Sequence, residues 1–281
     1  MKSLFIFCTG FLILSCAKET KKSSEWHFEK TISLSDINPI GIAVEDDNVL
    51  ILSDGDHNRI VKVDTLGNMV SEISNFQRPM HIDFGLSIDS ISSKASKKAI
   101  FVPEYGRDSI AVVYKMQRNY LAIPDSLDAP AAVSVWKNEI AIADFYANRI
   151  LYFNGKKWNS FGKKGTEPGE FNYPTDVQIT EDRILVADAY NNRGQVFNKT
   201  GEVITTFGQD LELNASVGIF KEKDEILLTD FENNRIFIFN KDYQLHQELS
   251  QGIKKPTDAV ANKNKLYITN YASGELVVYS R

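Results

Sequence analysis

Two histidines and several carboxylates lie at separated places along this chain and together could hold a divalent cation, and an asparagine joins them as a candidate for binding a ligand. His57, His81, Glu104, Asp176, Asp258 and Asn270 lie in separate segments, so only a fold that converges those segments makes a site of them. His81 and Asp258 each stand two residues after a proline, Pro79 and Pro256. That is one position of a repeated unit, and it should point toward the centre of the fold. Imidazole nitrogen with carboxylate oxygen suits zinc, and oxygen ligands alone suit calcium. Against this, histidines do not recur on successive units, and His57 sits in a polar turn where water can solvate it. The expectation is no obligatory cofactor, with a divalent ion in the central channel left open. A second chemistry is aromatic. Tyr105, Phe145, Tyr146, Tyr190, Phe231 and Tyr271 each follow an acid or asparagine position by one or two residues. Such rings either pack between units or stack on sugars and anchor a peptide; Tyr105 and Tyr271 join the candidate ligand-binding set on that ground.

A third set looks catalytic and is not. Asp54, Asp144, Asp188 and Asp230 are each followed five residues later by Arg59, Arg149, Arg193 and Arg235, with asparagine just before the arginine. Four copies spread over a repeat cannot all be one active centre. Each Asp is expected to cap loop backbone and each Arg to fork onto an acid or carbonyl, a structural role. Degraded copies carry Glu104/Ser109 and Asn270/Glu275. These two units flank the first in a closed ring, so the sequence directs the search for a ligand to units six, one and two, with Asp176 across the ring.

The elements that position these residues follow from the interval. The acid positions 54, 104, 144, 188, 230 and 270 are 40 to 50 residues apart, which is the signature of one supersecondary unit repeated six times. Within a unit, short β-rich runs alternate with turn residues, as in Thr175–Thr180, Ile184–Asp188, Gln195–Asn198 and Glu202–Gly208. No run is long or helically periodic enough for a helix. Proline precedes the first strand at 39, 79, 130, 174 and 256, where no ladder donor is needed; in unit five Asn214 is taken to fill that place. The fold predicted is all-β, a six-bladed propeller of four-stranded antiparallel blades. The sixth unit supplies three strands, and Trp26–Leu34 alternates apolar residues without a unit of its own. Pairing that strand with unit six removes two open edges. The insertion Gly85–Lys98 reads as an exposed loop on the opposite face.

Location is read from the first residues. Residues 1–15 have a basic start and an apolar run too short to span a bilayer, the form of a signal peptide. Ile13-Leu14-Ser15-Cys16 resembles the bacterial lipobox, which implies lipidation of Cys16. Residues 16–25 then form a polar lipidated tether, and 26–281 the propeller. Ala17 offers no aspartate-type retention signal, which by the same resemblance favours the outer membrane, periplasmic or surface-exposed. The only other cysteine, Cys8, lies in the leader, so no disulfide is expected. The net charge of −5 is spread without a basic stripe, which argues against nucleic acid. Membrane contact is expected through the lipid alone, and the chain is expected to be a monomer.

The run from Phe161-Gly162 through Gly165, Gly169, Phe171-Asn172 to Pro174, followed by 184–197, resembles the NHL repeat. The chain is also similar to six-bladed propeller lipoproteins of the Bacteroidetes type. The resemblance implies a propeller with mostly binding roles, and a fold alone does not assign one. With no catalytic triad and no phosphate loop, the reading leans away from an enzyme. It favours an extracytoplasmic scaffold that presents one loop face to a protein, peptide or glycan. The alternative is a metal-dependent lyase or hydrolase at the central channel.

Overall fold

The computed structural model describes residues 25–86 and 97–281. The leader, Cys16 and most of the tether lie outside the described residues, as does most of the insertion after Gly85. The described residues form six four-stranded antiparallel sheets. Their innermost strands are Pro39–Val44, Asp83–Leu86, Pro130–Trp136, Pro174–Ile179, Ile219–Glu222 and Pro256–Asn262. These six touch one another in turn around a ring, the last meeting the first. The molecule is a closed six-bladed propeller.

Each blade is buried on both faces, and this shapes the sequence. Alternate residues of a strand point to opposite sides: Leu50 and Leu52 enter the core between blades 6 and 1, while Ile51 enters the core between blades 1 and 2. The second strands therefore read as unbroken apolar runs such as Val-Leu-Ile-Leu and Ile-Leu-Val-Ala. Six hydrophobic clusters result, one in each gap between neighbouring blades. Outer strands such as Met69–Ile73 face solvent.

The ring closes as the sequence predicts. His27–Ser33 pairs antiparallel with Glu275–Ser280, from His27 opposite Ser280 to Ser33 opposite Glu275, and completes blade 6. Trp26 anchors its start: it is buried, its indole donates to Glu225 at 3.1 Å, and the Arg281 guanidinium lies 4.2 Å from its ring. The Gln247 side chain bonds both its backbone N–H and its carbonyl. The closing strand is thus fastened to blade 5 as well as blade 6.

One alignment changes. Hydrogen bonds place Ser216, not Asn214, at the proline position of blade 5, because Ala215 N–H takes the bond that the residue before the proline takes elsewhere. Asn214 instead occupies the preceding loop, where it donates to Asp230. In blade 2 the segment around Pro79–His81 is held by single bridges, to Glu104 and to Ala132 of blade 3. The regular strand there begins only at Asp83.

Candidate functional site: the loop face and the central channel

The repeated motif is a three-part fastener. In all six blades the acid or amide side chain accepts the N–H of the segment leading into its own blade, at 2.7 to 3.4 Å: Asp54 from Asn38, Glu104 from Gln77, Asp144 from Asp128, Asp188 from Asn172, Asp230 from Asn214 and Asn270 from Lys254. Arg59, Arg149, Arg193 and Arg235 each donate Nε to their aspartate at 2.7–2.9 Å. Each also donates Nη2 to a carbonyl of the lead-in segment, from Asp36, Ser126, Glu167 and Leu211 respectively. The residue before the arginine joins neighbouring blades. Asn58, Asp108, Asn148, Asn192 and Asn234 adopt φ of +52° to +58°. Their side chains accept the N–H of Arg78, Ala129, Tyr173, Ala215 and Lys255 on the next blade, at 2.8–2.9 Å. Asn and Asp tolerate this left-handed region better than other side chains. At the sixth junction Gly274 takes the position, and its carbonyl accepts Leu34 N–H.

This corrects the reading of blades 2 and 6. Glu104 and Asn270 are fully buried and do the capping that aspartate does elsewhere, away from the channel group. In blade 2 the missing arginine leaves Glu104 Oε2 and Ser109 Oγ buried without partners. His57 bonds Asp54 at 2.8 Å and lies 3.8 Å from Asp36, at the blade 1 loop. Tyr271 donates to Asp56 at 2.9 Å. Neither joins the channel group.

Exposed rings collect elsewhere on the same loop face. Tyr105, Phe145, Tyr146, Tyr173 and Tyr190 form one continuous platform over blades 2 to 4. Phe145 stacks on Tyr173 at 4.8 Å, Tyr173 meets Tyr190 edge-on at 5.3 Å, and Tyr105 contacts Phe145 and Tyr146 at 5.9 Å each. Tyr146 and Tyr190 remain 50% and 61% exposed. Arg78 and Lys164 sit near its edges, 5.5 and 5.7 Å from the Tyr105 and Tyr173 rings. Tyr173 carries no repeat signal in the sequence, since it precedes a strand instead of following an acid. Phe231 and Tyr271 stand outside the platform.

The channel brings together His81, Asp176 and Asp258. They occupy equivalent positions of blades 2, 4 and 6, and the intervening blades carry Gly41, Ala132 and Gly218 there. Asp176 is therefore not remote from His81 and Asp258; the ring is narrow enough that alternate blades meet across it. A Cβ on Gly41 would lie 2.8 Å from His81 Cα, and one on Gly218 would lie 2.2 Å from the Thr257 carbonyl oxygen. The small residues allow the blades this approach. Asp176 accepts the N–H of Val177 and of Ile219 on blade 5 at 2.8 Å. Asp258 accepts Ala259 at 2.7 Å and Ile42 of blade 1 at 2.9 Å. Asp83 repeats the arrangement two residues further on, with Phe84 and with Val135 of blade 3 at 2.7 Å. Burial pushes Asp176 up to about 7, opposed by His81, and Asp83 up to about 6. Burial opposes charge on His81, but the Asp176 and Asp258 carboxylates prevail and raise its pKa. Asp83, Ser134, Asp176, Gln178 and Asp258 line a cavity of about 230 Å³. Its walls follow the cluster along the inner strands, so it extends away from the Asp/Arg loops.

No known family profile matches the chain. Among solved structures it is similar to a streptogramin B lyase, at 18% identity and TM-score 0.64 over 87% of this chain and 80% of that one. A virginiamycin B lyase from Staphylococcus aureus matches at 15% and 0.64, over 92% and 100% of the two chains. A gluconolactonase from Xanthomonas campestris matches at 12% and 0.69, over 89% of each. At these identities the likeness is one of fold, and it agrees with the sheet topology: this chain has the six-bladed β-propeller architecture.

Proposed function

We propose that the protein is an extracytoplasmic binding propeller of NHL-repeat type, held to the outer membrane by lipid on Cys16, whose loop face captures a glycan or peptide. The observation that carries this reading is the aromatic platform on blades 2 to 4. Tyr146 and Tyr190, held by the half-buried rings beside them, offer exposed aromatic surface to sugar faces or apolar side chains at little entropic cost. The loop fasteners beneath blades 3 and 4 are satisfied, so the part of the platform they carry is preformed. Pre-organisation of that kind favours affinity. The lipobox-like Ile13–Cys16 supports the anchor.

The test is a screen of glycan and peptide arrays with the wild-type protein and with the Tyr146→Ala/Tyr190→Ala double variant. A hot-spot aromatic is worth about 2 kcal/mol or more, so the variant should lose roughly thirtyfold in affinity or more. Unchanged affinity in the variant would sink the reading. The second reading is a metal-dependent lyase or hydrolase at the channel, motivated by the His81 cluster and by neighbours named as lyases and a lactonase. Under that reading His81→Ala abolishes turnover and the tyrosine substitutions do not.

A further inference from the structure

We propose that the channel centre, at the end of the cavity that Asp176 and Asp258 line, is a single transition-metal site, suited to Zn²⁺, with His81 Nδ1 and one oxygen each from Asp176 and Asp258 as ligands. It stands apart from the aromatic platform and does not depend on it. Three observations converge. The three ligand atoms lie within 4.8 Å of one another. His81, only 3% exposed, leaves Nδ1 buried with no hydrogen-bond partner. That nitrogen sits 3.6 Å from Asp258 Oδ2 and 3.7 Å from Asp176 Oδ2, too far to hydrogen-bond to either. Ligand bonds of about 2.0–2.2 Å at tetrahedral angles separate neighbouring ligands by roughly 3.3–3.6 Å. The two spacings from His81 lie at or just past the long end of that range, so a shared ion needs only a small inward shift of its ligands.

The surroundings are those of a prepared site. Each carboxylate is clamped by two backbone N–H groups, one from its own blade and one from the next, so its orientation is set before any ion arrives. The alternating Gly41, Ala132 and Gly218 keep other side chains out of the centre. One imidazole with two carboxylates favours zinc or a similar first-row ion over calcium, which takes six to eight oxygens. With three protein ligands, the remaining coordination is open to the cavity beside Asp83, the open form that a Lewis-acid centre needs.

Metal-stripped protein is titrated with ZnCl₂ by calorimetry, and bound metal is counted by mass spectrometry. Co²⁺ absorption then reports the ligand field. The expected result is one Zn²⁺ per chain, with affinity at least a hundredfold lower in His81→Ala and in Asp258→Asn, and visible Co²⁺ d–d bands in the wild type alone. Circular dichroism confirms that each variant is folded, and where one is not, the other is read. Failure of the wild type to bind zinc stoichiometrically overturns the proposal and leaves a proton on His81 as the occupant. Equal binding by wild type and both variants also overturns it, since the ion would then sit on surface histidines. Either result leaves the array test of the platform untouched.

Discussion

Asn192 combines two duties that no other side chain but aspartate could combine as cheaply. It holds a left-handed backbone at φ +53° and accepts Ala215 N–H across the junction of blades 4 and 5. Asn192→Ala loses the bond and also the local side-chain support that lets asparagine hold a left-handed backbone, about 2 kcal/mol together. Asn192→Gly loses the bond only. Thermal melts should therefore rank wild type, Gly, Ala in falling order, with Ala roughly 4–8 °C below wild type for a domain of this size. A Gly variant no better than Ala would show that backbone strain plays no part. The Asp…Asn-Arg motif was readable because it repeats, and repetition itself argued for fastening over catalysis. The channel set was only half readable. His81, Asp176 and Asp258 each follow a proline by two residues and all stand in the candidate set, but the sequence groups them with His57, Glu104 and Asn270 and sets Asp176 across the ring. How closely alternate blades approach depends on the glycines at 41 and 218, whose meaning appears only when the neighbouring backbone is seen.

At the scale of elements, the blade grammar was legible because both faces of each middle strand are buried, which writes unbroken apolar runs between turn residues. What was not legible was how a blade bends to meet its neighbour. Blade 2 holds His81 outside its regular inner strand, by a bridge to Ala132, and no local pattern around Met80–Phe84 marks that break. The closing strand follows from its apolar alternation, the missing strand of unit six and edge protection, and its chief anchor is Trp26. Removing that ring costs about 3–5 kcal/mol, as for other buried Trp→Ala changes. Trp26→Ala should melt roughly 10 °C lower, and hydrogen exchange should show faster opening of His27–Ser33 and Glu275–Ser280 than of blades 2 to 4. Uniform exchange around the ring would contradict the assignment of Trp26 as the closure anchor.

For the whole molecule, the closing strand also sets orientation. Ser33 pairs with Glu275 just after the loop that bears the repeat motif, so His27, opposite Ser280, starts at the other face. A lipidated tether would reach the propeller there, with the aromatic platform turned away from the membrane. A dye at Asp182→Cys, in a hairpin of the far face, should be quenched by spin-labelled lipid more than one at Tyr190→Cys in vesicle-bound protein. The Cys16→Ala chain should stay unattached. Equal quenching at the two positions would refute this orientation. The same strand has a consequence for assembly. The two partners of the closure are encoded at opposite ends of the propeller sequence, so the ring joins only after the intervening blades exist. Until then, blade 6 offers an edge that fits the identical strand of any other copy. Two chains that exchange Trp26–Leu34 would bury the same surfaces as one chain alone, and the difference between ring and swapped pair is then set by concentration during folding.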